Sequence, residues 1–257
     1  MQLDPRTGCG FTHQHMRAAL QYATTAGYRF VSFPEAASGE AGRFILLRHD
    51  VDHSPDDALA LAELEADLGV RATYFILPSG EYNILGRAHA TISRIAELGH
   101  WIGIHYDPSF YLAAQLPLGD AVRREAAMLE DRFGRPVSVA ARHNPTSGAE
   151  VETDLTPLLD AYAPTFVVAT KYLSDSCQFW REGCFCHALA SGRHGALQVL
   201  IHAEWWSEDG AAADVILDRM LDQRIATIRD IDRQTRRLFA SLEHLPTRTL
   251  FRERTDG

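Results

Sequence analysis

Two aspartates and an arginine follow the apolar run at residues 44–47, at positions where their side chains could act together. In an extended strand alternate side chains share a face, so Arg48, Asp50 and Asp52 would point into the same space. Beside a divalent cation, one carboxylate could be an oxygen ligand and the other a general base, because the cation keeps both ionised near neutral pH. The alternative is a solvated acidic loop that caps the next helix.

Histidines occur at the ends of other predicted strands. His105 ends the strand predicted at 101–105, Arg142 and His143 follow the one at 137–141, and His202 ends another. A single histidine at such a place is more often a hydrogen-bonded structural residue than a metal ligand. Several of them at the same edge of a parallel sheet as the aspartates instead favour a metal-dependent active site.

The elements that must position these residues form an alternating pattern of apolar runs and amphipathic stretches, which is typical of βα units. We predict strands at 44–47, 72–77, 101–105, 137–141, 165–169 and 197–202. We predict helices at about 54–68, 87–98 and 121–133, and a long one, whole or broken once, at about 211–242.

The pattern predicts an α/β protein: a single-domain deformed (β/α) barrel of mainly parallel strands over residues 1–257. The motif-bearing core would cover about 44–206, and a helical C-terminal segment about 211–243. An open doubly wound sheet is the alternative. No glycine-rich dinucleotide or P-loop fingerprint follows a predicted strand, which disfavours nucleotide binding.

Composition limits the partners. The chain has 257 residues, 46% of them hydrophobic, and a formal net charge of −9. This acidic balance disfavours nucleic acid, because phosphate backbones bind clustered Lys and Arg. The chain shows neither a secretory signal pattern nor a run of 18 apolar residues, so we expect a cytoplasmic protein without membrane insertion. The expected partner is a small-molecule or glycan substrate, and a homo-oligomer is compatible with the sequence.

The four cysteines are Cys9, Cys177, Cys184 and Cys186. In a cytoplasmic chain of this size we expect reduced thiols rather than a disulfide framework. The Cys-Phe-Cys-His run at 184–187 has the residue types of a soft-metal site. Because its spacing is not C-x-x-C, we do not predict a structural zinc there.

The strand-end motifs resemble those of the polysaccharide deacetylases, also called the NodB-homology group or carbohydrate esterase family four. The family's first motif, in its Asp-x-Asp form, resembles Asp50-Val51-Asp52, and its second resembles the Gly-His-Trp-Ile-Gly-Ile-His run at 99–105. Its Arg-x-Pro motif resembles the segment at 142–145, which has one extra residue. A late strand that ends in Ile-His matches 201–202. The resemblance covers about residues 44–206.

This resemblance implies a hydrolase that removes N-acetyl groups from a sugar, using one divalent metal. It implies that Asp50 is the base, that Asp52 and His105 bind the metal, and that His202 is the general acid. Zinc is the first expectation, while Fe²⁺, Co²⁺ and Mn²⁺ also suit such ligands. Arg142, or else Arg48, would orient the base through a charge-assisted hydrogen bond.

The third metal ligand is where the chain departs from the family. Ser109 stands where the family has a second metal-binding histidine, four residues after the first. The candidates that remain are His143, Asp107 and His53. We favour His143, because the third motif opens into the same pocket.

Four further residues have predicted roles near the proposed centre. A backbone N–H near Tyr106 would help to stabilise the oxyanion. Trp205 follows the proposed acid and could be a platform for a sugar ring, with core packing as its alternative role. Tyr82 lies in a loop on the active face, where it could contact substrate. Asp175 could accept a hydrogen bond from His202 and raise its pKa.

Two other functions remain open at this point. One is a metal-dependent C–N hydrolase that acts on a cyclic or non-sugar amide, since a fold does not fix the substrate. The other is a barrel that has lost its metal and acts as a binding or scaffold protein, for which the serine at 109 is the main argument.

Overall fold

The computed structural model describes residue 6 and residues 8–39, 42–144 and 153–242. The chain divides into two compact units, Met1–Ala211 and Ala212–Gly257. The prediction of one domain over the whole chain stays a prediction. None of the helices in the described ranges combines the length and the apolar character needed to cross a membrane.

The first unit alternates strands and helices. Its strands are β1 (Arg29–Phe30), β2 (Phe44–Val51), β3 (Thr73–Ile76), β4 (Trp101–Tyr106), β5 (Val139–Arg142), β6 (Leu159–Asp160), β7 (Lys171–Ser174) and β8 (Ala196–His202). Its helices are α1 (His13–Thr25), α2 (Phe33–Ala37), α3 (Pro55–Asp67), α4 (His89–Glu97), α5 (Pro108–Ala113), α6 (Leu118–Phe133), α7 (Pro164–Val167) and α8 (Phe185–Ser191). Short 3₁₀ turns occupy Ser176–Gln178 and Ala203–Trp205.

The eight strands within the described ranges are all parallel to their neighbours. The order is β6-β5-β4-β3-β2-β8-β7, and β1 pairs with the beginning of β2. The sheet curls into a half-barrel with helices around it, so the predicted deformed (β/α) barrel is confirmed. Because every pairing is parallel, the carboxyl ends of the strands meet at one edge of the sheet.

Helix α3 shows how the sequence sets a boundary next to that edge. The side chain of Ser54 accepts a hydrogen bond from the backbone N–H of Asp57, and Pro55 occupies the first helical position. Proline suits this position because its missing N–H would have no partner inside the helix. The cap turns the chain away from the sheet directly after the Asp50-Val51-Asp52 segment.

The inner face of the sheet packs around aromatic rings. Phe33 on α2 makes edge-to-face contacts with Phe75 on β3 and with Phe166 on α7, at centroid distances of 5.7 and 5.0 Å. Gly103 on β4 leaves room for this cluster, because a Cβ there would lie 2.7 Å from the ring of Phe75. All three rings belong to one hydrophobic core cluster of the first unit.

The strand predicted at 165–169 is wrong. The segment forms helix α7, which begins at Pro164, and the strand follows it as β7 at Lys171–Ser174. Proline at a first helical position has a φ angle already suited to a helix, and this local start signal outweighs the apolar character of the segment. The strand predicted at 137–141 is real but lies at Val139–Arg142.

The second unit contains α9 (Ala213–Leu242), a single helix of 30 residues without a break. Hydrogen-bonded ion pairs between Asp230 and Arg233 and between Asp232 and Arg236 line it at helical spacing. Such exposed pairs each contribute little to stability. The long C-terminal helix predicted at about 211–242 is confirmed.

Candidate active site

The functional candidates gather where the parallel strands end. Asp50 lies near the end of β2 and pairs in register with His202 at the end of β8. On the other side of β3, His105 of β4 pairs with Ala141 of β5. The chain then reaches His143 directly after β5, so one edge of the sheet holds acidic, imidazole and guanidinium groups together.

Asp50 is held by a buried arginine on the same strand face. Nε and Nη2 of Arg48 donate to Oδ1 and Oδ2 of Asp50, both at 2.7 Å. Arg48 is fully buried, donates also to the hydroxyl of Tyr162 at 3.0 Å, and lies over that ring. Burial opposes ionisation of Asp50, but this guanidinium and two nearby histidines hold its pKa below the ordinary value. The expected alternation of Arg48 and Asp50 on one face is confirmed.

Three potential metal ligands form a nearly equilateral triangle beside Asp50. Oδ1 of Asp52 lies 3.1 Å from Nε2 of His105 and 3.3 Å from Nδ1 of His143, and the two nitrogens are 3.3 Å apart. Ligand atoms about 2.0–2.1 Å from a tetrahedral zinc would be separated by about 3.3–3.4 Å. These three residues therefore form a group that could hold a metal ion.

The hydrogen bonds of the triangle fit a cation at its centre. Nδ1 of His105 lies 2.7 Å from the carbonyl oxygen of Ala141, which can only accept, so the proton is on Nδ1. In the neutral ring, Nε2 then presents a lone pair to Asp52. Oδ1 of Asp52 is buried and has no hydrogen-bond partner among the described residues. A carboxylate oxygen that faces an imidazole lone pair matches the donors of a metal site.

Electrostatics agree with this arrangement. Burial disfavours a charge on Asp52, yet the histidines beside it hold its pKa well below the ordinary value. The same contact raises the pKa of His143. In the absence of a cation, Asp52 thus favours the protonated form of His143, and a bound cation would displace that proton.

His202 is oriented by a carboxylate behind it. Its Nδ1 donates to Oδ1 of Asp175 at 2.7 Å, and its backbone N–H donates to the same carboxylate. The indole Nε1 of Trp206 donates to Oδ2 at 2.8 Å. Burial would lower the pKa of His202, but the hydrogen bond to Asp175 prevails and raises it to about 10. The anticipated Asp175–His202 pair is confirmed. Nε2 of His202 lies 3.9 Å from Oδ2 of Asp52.

Sequence reasoning missed Glu204, which lies two residues after His202 in the 3₁₀ turn. Its side chain is buried, and burial together with the nearby Asp52 raises its pKa to about 8. At neutral pH this carboxyl is therefore largely protonated. The signal available in the sequence was an acid inside an otherwise apolar run next to the proposed general acid.

The three candidates for the third metal ligand have different positions in the structure. His143 joins the triangle, while Asp107 caps helix α5 by accepting from the backbone N–H and hydroxyl of Ser109. His53 is exposed after the end of β2. The group that could hold a metal therefore contains His143 and neither of the alternatives.

The residues predicted to contact the substrate make contacts within the protein. The hydroxyl of Tyr82 donates to the carbonyl of Val51 and accepts from the N–H of Leu77, so it fastens the loop after β3 to the end of β2. Trp205 is largely buried, and its indole Nε1 lacks a hydrogen-bond partner among the described residues. Tyr106 is buried and its carbonyl accepts from the N–H of His143. Their roles toward substrate stay predictions.

Arg142 is the last residue of β5, half-buried and in register with Tyr106 of β4. Its proposed role in orienting Asp50 stays a prediction, because the hydrogen bonds described for that carboxylate come from Arg48. Pro145, which completes the third motif, lies outside the described residues.

Two other histidines have structural environments. His49 contacts the buried Glu65 at 2.6 Å on the opposite face of β2 and stacks on Tyr74. His100 accepts from the N–H of Ala72 and donates to the carbonyl of Ala62. Both contact residues of α3 and thus lie between the sheet and that helix.

Comparison of the sequence with protein-family models and with curated proteins gives no match. Among solved structures, a mutant of the peptidoglycan deacetylase PdaC from Bacillus subtilis is similar over 79% of this chain and 96% of that chain, with 17% identity and a TM-score of 0.43. A family 4 carbohydrate esterase from Bacillus anthracis is similar over 80% of this chain and 85% of that chain, with 14% identity and a TM-score of 0.37.

Proposed function

We propose that this chain is a metal-dependent hydrolase that removes N-acetyl groups from a sugar or glycan precursor. The observation that carries the proposal is the triangle of Asp52, His105 and His143, which lies between a buried carboxylate and a histidine held by its own carboxylate. Three protein ligands with an open position are typical of catalytic zinc. The order of the strand-end motifs, which resembles that of the polysaccharide deacetylases, supports the choice of an N-acetyl sugar.

Asp50 is the proposed general base. Its carboxylate is ionised at neutral pH because Arg48 lowers its pKa, and Oδ2 lies 3.5 Å from Nε2 of His105, at the border of the triangle. A carboxylate oxygen that accepts one hydrogen bond from the guanidinium keeps a second lone pair. That lone pair would accept the proton of the water that attacks the acetyl carbonyl.

His202 is the proposed general acid. A pKa of about 10 keeps its imidazole protonated at neutral pH, with Nδ1 committed to Asp175 and Nε2 left to donate. Protonation of the departing amine by Nε2 would let the C–N bond break without forming a free amide anion. The carboxylate of Asp175 thus orients the imidazole ring of His202 and keeps it protonated.

Asp52, His105 and His143 are the proposed ligands of the metal, with zinc the first candidate and Fe²⁺, Co²⁺ or Mn²⁺ compatible with the same atoms. A cation bound there would polarise the acetyl oxygen and favour a nucleophilic water. The carbonyl of Ala141, which accepts from Nδ1 of His105, fixes the ring so that Nε2 faces this position.

A cavity next to β7 is the proposed place for the sugar. It has a volume of about 140 Å³ and is lined in part by Ser174, Ser176, Trp180 and Glu182. Ser174 immediately precedes Asp175 in the chain, so the cavity adjoins the strand ends that carry the proposed acid. An indole face with nearby hydroxyl and carboxylate groups matches the apolar faces and hydroxyl rim of a sugar ring.

The direct test is incubation of zinc-loaded protein with N-acetylglucosamine and its short oligomers, with acetate release as the measurement. Asp50→Asn, which keeps the shape of the side chain, is the matched control and should release acetate at least about 100-fold more slowly. No acetate from any N-acetyl sugar, combined with turnover of a cyclic or non-sugar amide, would support the other C–N hydrolase. Equal metal uptake at micromolar concentration by the wild type and by a His105→Ala/His143→Ala variant would show that the triangle binds none, which would contradict catalysis and support a binding barrel.

A further inference from the structure

A second group of potential metal ligands lies outside the proposed active site and shares no residue with it. The group consists of Cys9, His15, Cys184 and Cys186, here called the cysteine cluster. One ligand atom from each lies within 4.8 Å of all the others. Cys9 comes from the N-terminal segment, His15 from the first turn of α1, and the remaining two from the start of α8.

The distances inside the cysteine cluster suit a tetrahedral zinc. Nε2 of His15 is 3.3 Å from Sγ of Cys184, and Sγ of Cys186 is 3.7 Å from Sγ of Cys9. With zinc about 2.3 Å from sulfur and 2.0–2.1 Å from nitrogen, tetrahedral ligand atoms would be about 3.5–3.8 Å apart. A disulfide, by contrast, requires about 2.05 Å between the sulfurs, and the four cysteines are free.

The side chains of the cluster are held in place by the fold. His15, Cys184 and Cys186 are buried, and the ring of His15 stacks on the indole of Trp206 with an interplanar angle of 7°. Cys9 is exposed, so one side of the cluster is open to solvent and gives an ion a way in. A single buried cysteine is an ordinary small apolar residue. Apolar packing does not explain why three sulfurs and an imidazole nitrogen, from two distant parts of the chain, converge on one point.

The structure brings a different histidine to the two cysteines than the one next to them in sequence. The run at 184–187 suggested His187 as a partner of the two cysteines, but His187 is exposed, and the histidine that meets them is 169 residues from Cys184. The prediction of no structural zinc was based on that run alone. With Cys9 and His15 included, the donor set becomes three cysteines and one histidine, a common structural zinc set.

We infer that Cys9, His15, Cys184 and Cys186 bind a structural zinc ion that fastens the N-terminal segment and α1 to the start of α8. Binding displaces the protons of the thiols to solvent and replaces the contacts among the four side chains with four metal bonds. The inference does not depend on the proposed function, because neither the ligands nor the tests involve the proposed catalytic residues.

The test uses the full chain with the other site disabled by His105→Ala and His143→Ala. In this background, purified under reducing conditions, elemental analysis should find about one zinc per chain. Replacing the metal with Co²⁺ should give thiolate-to-cobalt charge-transfer absorption in the near ultraviolet. The Asp/His triangle contains no sulfur and cannot produce that band, so the spectrum identifies the site.

Three cysteine variants complete the test. Cys9→Ser and Cys186→Ser should each abolish stoichiometric zinc and the cobalt band, whereas Cys177→Ser, at an exposed cysteine outside the cluster, should change neither. Cys9→Ser alters an exposed position, so its far-ultraviolet circular dichroism should match that of the parent and loss of zinc cannot be ascribed to misfolding. Chelation should lower the melting temperature of the parent but not that of Cys9→Ser.

Three results would overturn the inference. They are the absence of a thiolate-to-cobalt band in the parent, a zinc content in Cys9→Ser equal to that of the parent, and a Cys9–Cys186 disulfide without zinc in protein purified without reductant.

Discussion

Replacing Arg48 with methionine would remove the cation that pairs with the proposed base and keep an unbranched side chain of similar length. The guanidinium is fully buried and donates twice to Asp50, which is itself nearly inaccessible. The variant would leave a buried carboxylate without its main partner. We therefore expect a lower free energy of unfolding and a higher pKa for Asp50.

The magnitude follows from the burial of the pair. Removing one partner of a buried, hydrogen-bonded ion pair costs about 3–5 kcal/mol. The charge of His202 remains near Asp50, so we expect the lower end, about 3 kcal/mol. For a unit of this size, about 2–4 °C of melting temperature corresponds to each kcal/mol, which gives a decrease of about 6–12 °C.

Thermal and urea denaturation measure this effect, with Arg94→Met as the matched control. Arg94 pairs with Glu97 on the surface at 3.3 Å, where an ion pair is worth less than about 1 kcal/mol. The double variant Arg48→Met/Asp50→Asn removes both buried charges and should regain most of the lost stability while remaining inactive. A loss below about 1 kcal/mol in Arg48→Met, or a double variant no more stable than the single one, would refute the reasoning.

Further predictions concern the pH profile and the metal. Asp175→Asn removes the carboxylate that raises the pKa of His202 to about 10, so kcat should begin to fall at a lower alkaline pH than in the wild type. An unchanged pH profile of kcat would contradict the proposal that Asp175 keeps His202 protonated. His143→Ala should weaken metal binding by at least about 100-fold in chelator competition with the cysteines alkylated, whereas Ser109→Ala should leave it unchanged. Asp50→Asn should keep the metal and lower the rate by at least about 100-fold, and wild-type activity in this variant would contradict its role as base.

The parts of the fold and site that follow from local rules could be predicted. The strand at 44–47 and its polar continuation required only the two-residue period, which places Arg48 and Asp50 on one face and His49 on the other. The same logic placed His105 and His202 at strand ends. In a sheet built from βα units the carboxyl ends of the parallel strands meet at one edge, so these two histidines are expected on the same edge.

The parts that depend on long-range contacts could not be predicted. The third motif favoured His143 over Asp107 as the third ligand, but the contact of His143 with Asp52 depends on the register between β4 and β5, which no local pattern encodes. The meeting of His15 with Cys184 joins residues 169 positions apart. Local signals also conflicted at 165–169, where Pro164 started a helix in a segment that reads as a strand.

The most direct test of the central claim is an anomalous difference map from crystals of the zinc-loaded protein, recorded on both sides of the zinc absorption edge. The account predicts a peak bonded to Asp52, His105 and His143 at about 2.0–2.2 Å, with Asp50 and His202 beside it and not bonded. A map with no peak among these three residues, in crystals grown with excess zinc, would contradict it.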